Sequence, residues 1–246
     1  MMKITVLGNC GPYPRAGGAC SGYLLEEGET KILIDCGNGT LSRLQQKINS
    51  FYDIDLIILS HLHSDHVGDA MVLKYALGIG KMKDPSKKSI LLYAPQSPAD
   101  DFEKLQYQQA YDLHGIHEAL VIQLENLEIT FKKMDHPVEC YGVKVKSNDR
   151  TFVYSADTKY CSQLLDFTRE ADMLLCECGV LEKDKNSDTP HLSAKETGMI
   201  GRQCNIKNVL LTHFWPEYDL QDVFEEANAE HPDKIVLSEE MKSYEI

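Results

Sequence analysis

Short apolar runs separated by glycine-rich turns occupy the first 36 positions of the chain. Their length and β-branched content are typical of strands, and the glycine-rich segments between them favour turns. The pattern therefore predicts an antiparallel meander. A second β-rich set is predicted farther along the chain. The first set is KITVLG, GYLLEEG and TKILIDCG, and the second is EALVIQL, LEITFKKMDH, CYGVKVKSN and TFVYSAD.

Each β-rich set passes into alternating helix and strand patterns. The first is followed by helix TLSRLQQKINSF, the apolar strand DLIILS, helix VGDAMVLKYALG closing on Gly78, the surface loop KMKDPSKKS, strand ILLYAP and helix SPADDFEKLQYQQAYDL. The second is followed by a helix near positions 160–170, strand DMLLCEC, helix SAKETGMIGRQC, strand NVLLTH, helix LQDVFEEANAE and strand KIVLSE. Two meanders that each continue as alternating helix and strand predict an α/β protein, a four-layer αββα sandwich.

No repeat and no low-complexity linker separates the two halves of the chain. Charged residues make up 26% of the 246 positions and hydrophobic residues 43%, which is an ordinary globular composition. Sheet-rich folds of this size often form one domain, so residues 1–246 are predicted to be a single domain. The polar interval 181–191 is predicted to be a mobile loop beside a site.

The formal charge of −13 comes from 38 acidic and 25 basic residues. Extended nucleic-acid binding depends on cationic contacts, so this balance argues against it. Small anionic substrates remain compatible, because bound metal ions reverse the local sign of charge.

The start, MMKITVLGNCG, lacks the apolar core of a signal peptide, and no apolar segment is long enough to span a bilayer. We therefore expect a cytoplasmic protein with no membrane partner.

Eight cysteines are scattered without the rhythm of a disulfide scaffold, so we expect most to be reduced core residues. Cys176 and Cys178 form a C-x-C pair in a strand-like run, where a period of two puts both on one face. Binding of a soft metal there is an alternative to core packing.

The stretch SHLHSDHVGD directly follows the apolar run DLIILS and places four ligand-type residues within six positions. His61 and His63 can point the same way from extended backbone, while Asp65 and His66 can aim at a second point from the start of the next helix. Loops at strand ends gather ligands without disturbing the core. Clustered histidine and aspartate indicate a metal site rather than solvated loop histidines.

The run H-L-H-S-D-H resembles the H-x-H-x-D-H signature of the metallo-β-lactamase superfamily of hydrolases. The resemblance implies three further ligands, and each follows a β-like run: His136 in KKMDHPVE, Asp157 in VYSADTKY and His213 in VLLTHFW. It implies two zinc ions, one held by His61, His63 and His136, the other by Asp65, His66 and His213, with Asp157 bridging them. Manganese or iron also suits these ligand types.

Four other segments resemble ribonuclease Z-like phosphodiesterases: LGNCGPYPRAGGACSGYLLE, SADT, CECG and HLSAKETG. This resemblance implies that Glu177 orients His191, which donates a proton to the leaving oxygen as a general acid. The alternative is that His191 only belongs to the start of a helix, because Ser193 and Glu196 have the spacing of a capping box.

Two features depart from ribonuclease Z. Only twenty residues, Pro137 to Ala156, separate His136 from Asp157, which leaves room for a hairpin and none for the arm that grips transfer RNA. The segment HFWPEYD also lacks the basic residue usual after this histidine. Arg15 is either a phosphate contact or a surface charge, and Trp215 either stacks on a base or packs at a rim.

The sequence therefore predicts a dinuclear zinc phosphodiesterase for a small phosphodiester, such as a cyclic or short nucleotide. Two metal ions would turn a shared water into hydroxide at neutral pH, and Asp65 would both ligate and orient it. The alternatives are a hydrolase of a carbon ester, thioester or lactone, and a non-catalytic metal-binding carrier. The resemblance also implies a homodimer. Apolar helix faces near Val67 to Leu77 would suit an interface, although core packing explains the same residues.

Overall fold

A computed structural model describes residues 1–246. The strands are β1 (Met2–Gly8), β2 (Gly22–Glu27), β3 (Thr30–Cys36), β4 (Leu56–Ile58), β5 (Ile90–Ala94), β6 (Tyr111–Gly115), β7 (Val121–Leu124), β8 (Leu127–Lys133), β9 (Tyr141–Lys146), β10 (Thr151–Tyr154), β11 (Met173–Glu177), β12 (Asn208–Thr212), β13 (Ile235–Leu237) and β14 (Ser243–Glu245). The α-helices are α1 (Thr40–Leu44), α2 (Ser64–Val67), α3 (Ala70–Lys83), α4 (Ala99–Lys104), α5 (Ser162–Thr168), α6 (Ala194–Gln203) and α7 (Leu220–Glu230).

The chain divides into two compact units. One comprises Met1–Ile116 with Glu240–Glu245, and the other comprises His117–Glu239 with Ile246. Each unit contains one seven-stranded sheet.

In the first unit the strand order is β14-β1-β2-β3-β4-β5-β6. The strands from β14 to β3 pair antiparallel, which confirms the predicted meander, and those from β3 to β6 run parallel. Leu33 and Ile57 from the sheet and Leu59, directly after β4, pack in one apolar cluster with Leu73 and Leu77 of α3. Each fully buried leucine contributes about 2 kcal/mol of hydrophobic stabilisation.

The second unit repeats this plan with the order β13-β12-β11-β10-β9-β8-β7. The strands from β7 to β10 pair antiparallel and those from β10 to β13 run parallel. Val153, Leu174 and Leu211 pack with Ile200 of α6 and Val223 of α7. The predicted switch from meander to alternating helix and strand is therefore present in this unit too.

The helix predicted to close on Gly78 was predicted too short. The helix continues through Gly78 to Lys83 and includes the start of the predicted surface loop. A Cβ on Gly78 would come within 2.6 Å of Cδ1 of Tyr107, so this glycine allows a close approach and does not end the helix.

Other element boundaries also differed from prediction. The helix predicted from Thr40 ends at Leu44, and a 3₁₀ turn covers Phe51–Asp53. The long helix predicted over positions 97–113 is only α4, because Tyr111–Gly115 forms the edge strand β6. Strand β14 was not predicted.

All eight cysteines are free thiols. Cys176 and Cys178 are fully buried in the apolar cluster of the second unit, as the core-packing interpretation predicts. Burial raises the pKa of the Cys178 thiol well above its usual value.

No helix combines the length and apolar character needed to cross a bilayer.

Candidate metal centre

In the first unit the predicted ligands follow the carboxyl end of β4, a strand whose three residues are all buried. Helix α2 starts after His63, which has extended backbone, and carries Asp65 and His66 in its single turn. His61 and His66 are fully buried, Asp65 is 9% exposed and His63 is partly exposed. The predicted strand-to-helix junction is therefore present.

Asp35, near the end of β3, organises this junction. One carboxylate oxygen accepts the backbone N–H of Ser60 at 2.7 Å, and the other accepts the Ser60 hydroxyl at 2.8 Å. The second oxygen also lies 2.8 Å from Nδ1 of His66. Because a carboxylate only accepts, Nδ1 of His66 carries the proton and Nε2 carries the lone pair. This arrangement is typical of histidines that bind metal ions.

His61 is oriented in the same way. Its Nδ1 lies 3.1 Å from Oγ of Ser60, whose proton is directed to Asp35, so Nδ1–H of His61 is the donor. Nε2 of His61 lies 3.1 Å from Nδ1 of His63. The His61 ring centroid is 4.7 Å from that of His63 and 4.0 Å from that of His66. The ring nitrogens that could bind a metal ion therefore lie close together in this cluster.

In the second unit three parallel strands end in polar residues. Asp157 follows β10, Glu177 ends β11 and His213 follows β12. Nε2 of His213 lies 3.3 Å from a carboxylate oxygen of Asp157, and Nδ1 of His191 lies 3.8 Å from the same oxygen. The ligand atoms of Asp157, His191 and His213 all lie within 4.8 Å of one another. These side chains can therefore share one cation or one proton network.

Three residues at or beside the candidate site have left-handed backbone. Ala156 and His213 have φ values of +52° and +57°, and Asp35 in the first unit has +54°. Left-handed backbone costs a non-glycine residue about 1–2 kcal/mol, and such outliers cluster at functional sites. The strain occurs where strand ends turn polar groups toward the candidate site.

Glu177 lies against His191, as the sequence predicted. Oε1 accepts the backbone N–H of Thr158 at 2.7 Å and lies 3.2 Å from Nδ1 of His191, and Oε2 accepts the backbone N–H of Gly179 at 3.2 Å. Glu177 is fully buried. Three donors therefore hold this carboxylate in one orientation, and Nδ1–H of His191 is one of them.

His136 follows β8 and is partly exposed. Its Nδ1 lies 3.3 Å from the carbonyl oxygen of Pro190, which only accepts, so Nε2 carries the lone pair. Its ring centroid is 5.6 Å from that of His191. The chain between His136 and Asp157 forms the β9–β10 hairpin and nothing larger, as predicted.

Asp35 was not predicted as a residue of the site. The available signal was a carboxylate at the end of the apolar run TKILIDCG, a position where only a buried hydrogen-bond network makes an acidic residue tolerable. The roles of Arg15, in the loop before β2, and of Trp215, two residues after His213, stay predictions.

Comparison with known proteins identifies the family. Residues 30–214 match the family described as the beta-lactamase superfamily domain. The chain is 31% identical over 221 residues to the probable metallo-hydrolase YhfI of Bacillus subtilis, which covers 90% of each protein. The chain therefore belongs to the metallo-β-lactamase superfamily, in its ribonuclease Z-like branch, and is a metal-dependent hydrolase.

Two solved structures and a ribonuclease Z sequence extend the comparison. The YhfI crystal structure has a TM-score of 0.93 at 28% identity, covering 99% of this chain and 98% of that one. Human tRNase Z, short form, has a TM-score of 0.76 at 21% identity and covers 99% of each chain. The ribonuclease Z of Clostridioides difficile is 23% identical, covering 99% of this chain and 98% of that protein. The predicted fold class, two mixed sheets flanked by helices, is confirmed.

The alignment with the Clostridioides difficile ribonuclease Z spans 303 positions, which exceeds the 246 residues of this chain. That ribonuclease Z therefore carries segments with no counterpart here. This agrees with the short β9–β10 connection.

Proposed function

We propose that this protein is a dinuclear metal-dependent phosphodiesterase that acts on a small phosphodiester, such as a cyclic or short nucleotide. The observation that carries the proposal is the contact between the buried Glu177 carboxylate and Nδ1 of His191, beside Asp157. An imidazole with one nitrogen held by a carboxylate presents the other nitrogen for proton donation.

The donor set suits zinc, because imidazole nitrogens and carboxylates predominate and histidine orientation is fixed by buried acceptors. Following the family resemblance, one ion would be held by His61, His63 and His136, the other by Asp65, His66 and His213, with Asp157 shared. Such a pair would supply a water nucleophile at neutral pH and positive charge for the phosphoryl oxygens. Manganese and iron are alternative occupants.

His191 acts on the leaving group. As the bond between phosphorus and the leaving oxygen breaks, the protonated imidazole gives its Nε2 proton to that oxygen, and the product leaves as an alcohol. The attacking water releases a proton to solvent as its oxygen becomes bonded to phosphorus, and solvent restores the proton on His191. Glu177 stabilises the imidazolium before transfer and fixes the ring during it. Asp65 orients the attacking water.

Substrate size is the second part of the proposal. The β9–β10 hairpin offers no arm for a large RNA, and the charge of −13 disfavours an extended phosphate backbone. A diphosphatase of the PhnP family has a TM-score of 0.73 at 17% identity, covering 99% of this chain and 96% of that one. The same fold thus hosts a diphosphatase in another protein, so phosphoryl chemistry is compatible with it.

The test compares substrate classes. The zinc-loaded protein should hydrolyse an activated bis-aryl phosphodiester, and Asp65→Ala should lower that rate by at least about 10²-fold while the fold persists by circular dichroism. Turnover of a lactone or thioester with no turnover of the diester would favour the carbon-ester hydrolase instead. Metal content without turnover of any substrate would indicate a carrier.

We further propose that the protein forms a homodimer through α3. Four large apolar side chains on one stripe of this helix are 44–63% exposed: Val72, Tyr75, Ile79 and Met82. Antiparallel pairing with a second copy would join the two stripes and bring Lys81 and Lys83 near Asp69 of the other copy, so charges would be complementary. Ile79→Glu should convert a dimer to a monomer by light scattering; a wild-type monomer at all concentrations would contradict this.

A further inference from the structure

The loop that carries His191 has a fixed base. Val180 and Ser193 form an isolated β-bridge, the N–H of Ala194 donates to the carbonyl of Val180 at 3.0 Å, and the N–H of Val180 donates to the carbonyl of Leu192 at 3.3 Å. His191 lies just before this base, at the end of a polar excursion of the chain. Its backbone position therefore depends on contacts made from within the excursion.

Lys185 makes such a contact. Its Nζ donates to the carbonyl oxygen of His191 at 3.0 Å and forms an ion pair with Glu196 in the first turn of α6. The carboxylate oxygen of Glu196 that pairs with Lys185 also accepts the N–H of Ser193 at 3.0 Å. One ammonium and one carboxylate therefore tie the backbone on both sides of Leu192. The two side chains are only 16% and 20% exposed, so water screens this pair less than a surface pair.

Gly179 lies on another side of His191. A Cβ at Gly179 would come within 3.0 Å of Cβ of His191 and 3.1 Å of Oε2 of Glu177. The ring of His191 is thus fixed by Glu177, its Cβ packs near a backbone with no side chain, and its carbonyl is held by Lys185. A shift of the carbonyl would move the ring relative to a bound substrate.

We propose that Lys185 is a positioning residue that sets His191 for proton donation to the leaving oxygen. This inference rests on the proposed phosphodiesterase function and gives Lys185 a role in it. Lys185 touches neither the reacting atoms nor Glu177; it acts through the backbone of His191. Proton donation needs a donor within about 3 Å of the leaving oxygen, so a displacement of 1 Å has a large cost.

The loop has other anchors that do not reach His191. The Tyr218 hydroxyl donates to Asp184 at 2.8 Å, and Glu226 of α7 accepts the N–H groups of Glu182 and Lys195 at 2.9 and 3.0 Å. These contacts keep the loop folded when the Lys185 ammonium is removed. The expected effect is therefore a local release of the His191 carbonyl.

The experiment compares Lys185→Met with Lys183→Met in the full-length, zinc-loaded protein. Lys183 is an exposed neighbour on the same loop and provides the same chemical change. Two phosphodiesters are used, one with a nitrophenolate leaving group and one with an alkoxide leaving group. Nitrophenolate leaves without a proton, whereas an alkoxide requires one.

For Lys185→Met we expect kcat to fall about tenfold or more on the alkoxide diester and less than about threefold on the nitrophenyl diester. Lys183→Met should match the wild type on both. Lys185→Arg, which keeps a cationic donor, should recover part of the alkoxide rate. A loss that is equal on the two diesters, a rise in KM alone or no loss on either would overturn the inference.

The outcome for the wild type separates this inference from the proposed function. If the wild type hydrolyses both diesters and Lys185→Met keeps the wild-type ratio of rates, only the role of Lys185 is wrong. If the wild type hydrolyses neither diester while fully loaded with zinc, the phosphodiesterase proposal itself fails, and the role of Lys185 fails with it.

Discussion

Nδ1 of His66 lies 2.8 Å from a carboxylate oxygen of Asp35, and neither side chain is exposed to solvent. The same carboxylate accepts both the N–H and the hydroxyl of Ser60, which in turn accepts from Nδ1 of His61. One buried carboxylate on β3 thereby orients two predicted metal ligands. The precision of this half of the site comes from a residue that is not itself a predicted ligand.

Asp35→Asn should weaken zinc binding by about 10- to 100-fold, because the NH₂ group of the amide cannot accept hydrogen bonds from His66 and Ser60 as the second carboxylate oxygen does. Competition with a chromophoric chelator measures the affinity. Asp112→Asn, an exposed aspartate on β6, is the matched control and should bind zinc as the wild type does. Equal affinity in Asp35→Asn and wild type would show that Asp35 does not orient the ligands.

Glu177→Gln should lower phosphodiester turnover by about 10²-fold while leaving the zinc content near that of the wild type. The amide would no longer stabilise the His191 imidazolium, yet it would occupy the same space between Thr158 and Gly179. Steady-state kinetics and metal analysis on one preparation test both parts. Glu225→Gln on the exposed side of α7 is the control, and full activity in Glu177→Gln would refute the role of Glu177.

Ser193→Ala should reduce the free energy of unfolding by about 1 kcal/mol, the usual cost of losing a helix N-cap. The predicted capping box is present, because Oγ of Ser193 accepts the N–H of Glu196 at 3.2 Å and Glu196 accepts the N–H of Ser193. Urea unfolding measures the change, with exposed Ser162→Ala as the control. If Ser193→Ala changes the free energy of unfolding as little as Ser162→Ala does, the N-cap does not stabilise the protein.

Cys36 should make the protein less stable as the pH rises above about 9. Burial raises the pKa of this thiol from 9.0 to about 12. Between these values the unfolded chain loses the proton and the folded chain keeps it, so the free energy of unfolding falls by up to about 1.4 kcal/mol per pH unit. Cys36→Ala should show a shallower decline in urea unfolding between about pH 8 and about pH 10. An identical decline in both proteins would show that Cys36 does not titrate in this way.

The strands that carry the site were predictable because their apolar runs are long and each ends in a polar group. Strand β6 was missed because Asp112 and His114 occupy its exposed positions and the local composition favours a helix. Strand β14 has only three residues, and its pairing with β1 depends on a partner about 240 positions earlier. Gly78 was predicted to end the helix, but it lies inside α3 where Tyr107 approaches closely, a contact between distant segments that sequence periodicity does not reveal.

The residues of the candidate site likewise fall into those that the sequence predicted and those that it did not. His61, His63, Asp65 and His66 were predictable because their clustering is itself the signal. Asp35 and Lys185 were not, because a carboxylate in a strand and a lysine in a polar loop have no distinctive pattern. Their roles follow from hydrogen bonds to His66 and to the His191 carbonyl, which only the folded chain brings within reach.

The most direct test of the account is the rate of phosphodiester hydrolysis as zinc is added back to metal-stripped protein. We expect no turnover without metal and a rate that rises until about two equivalents of zinc are bound per chain. We also expect that Asp157→Ala, which lacks the shared carboxylate, does not regain the wild-type rate. Undiminished turnover in the metal-stripped protein, or no diester hydrolysis at full zinc occupancy, would contradict the central claim.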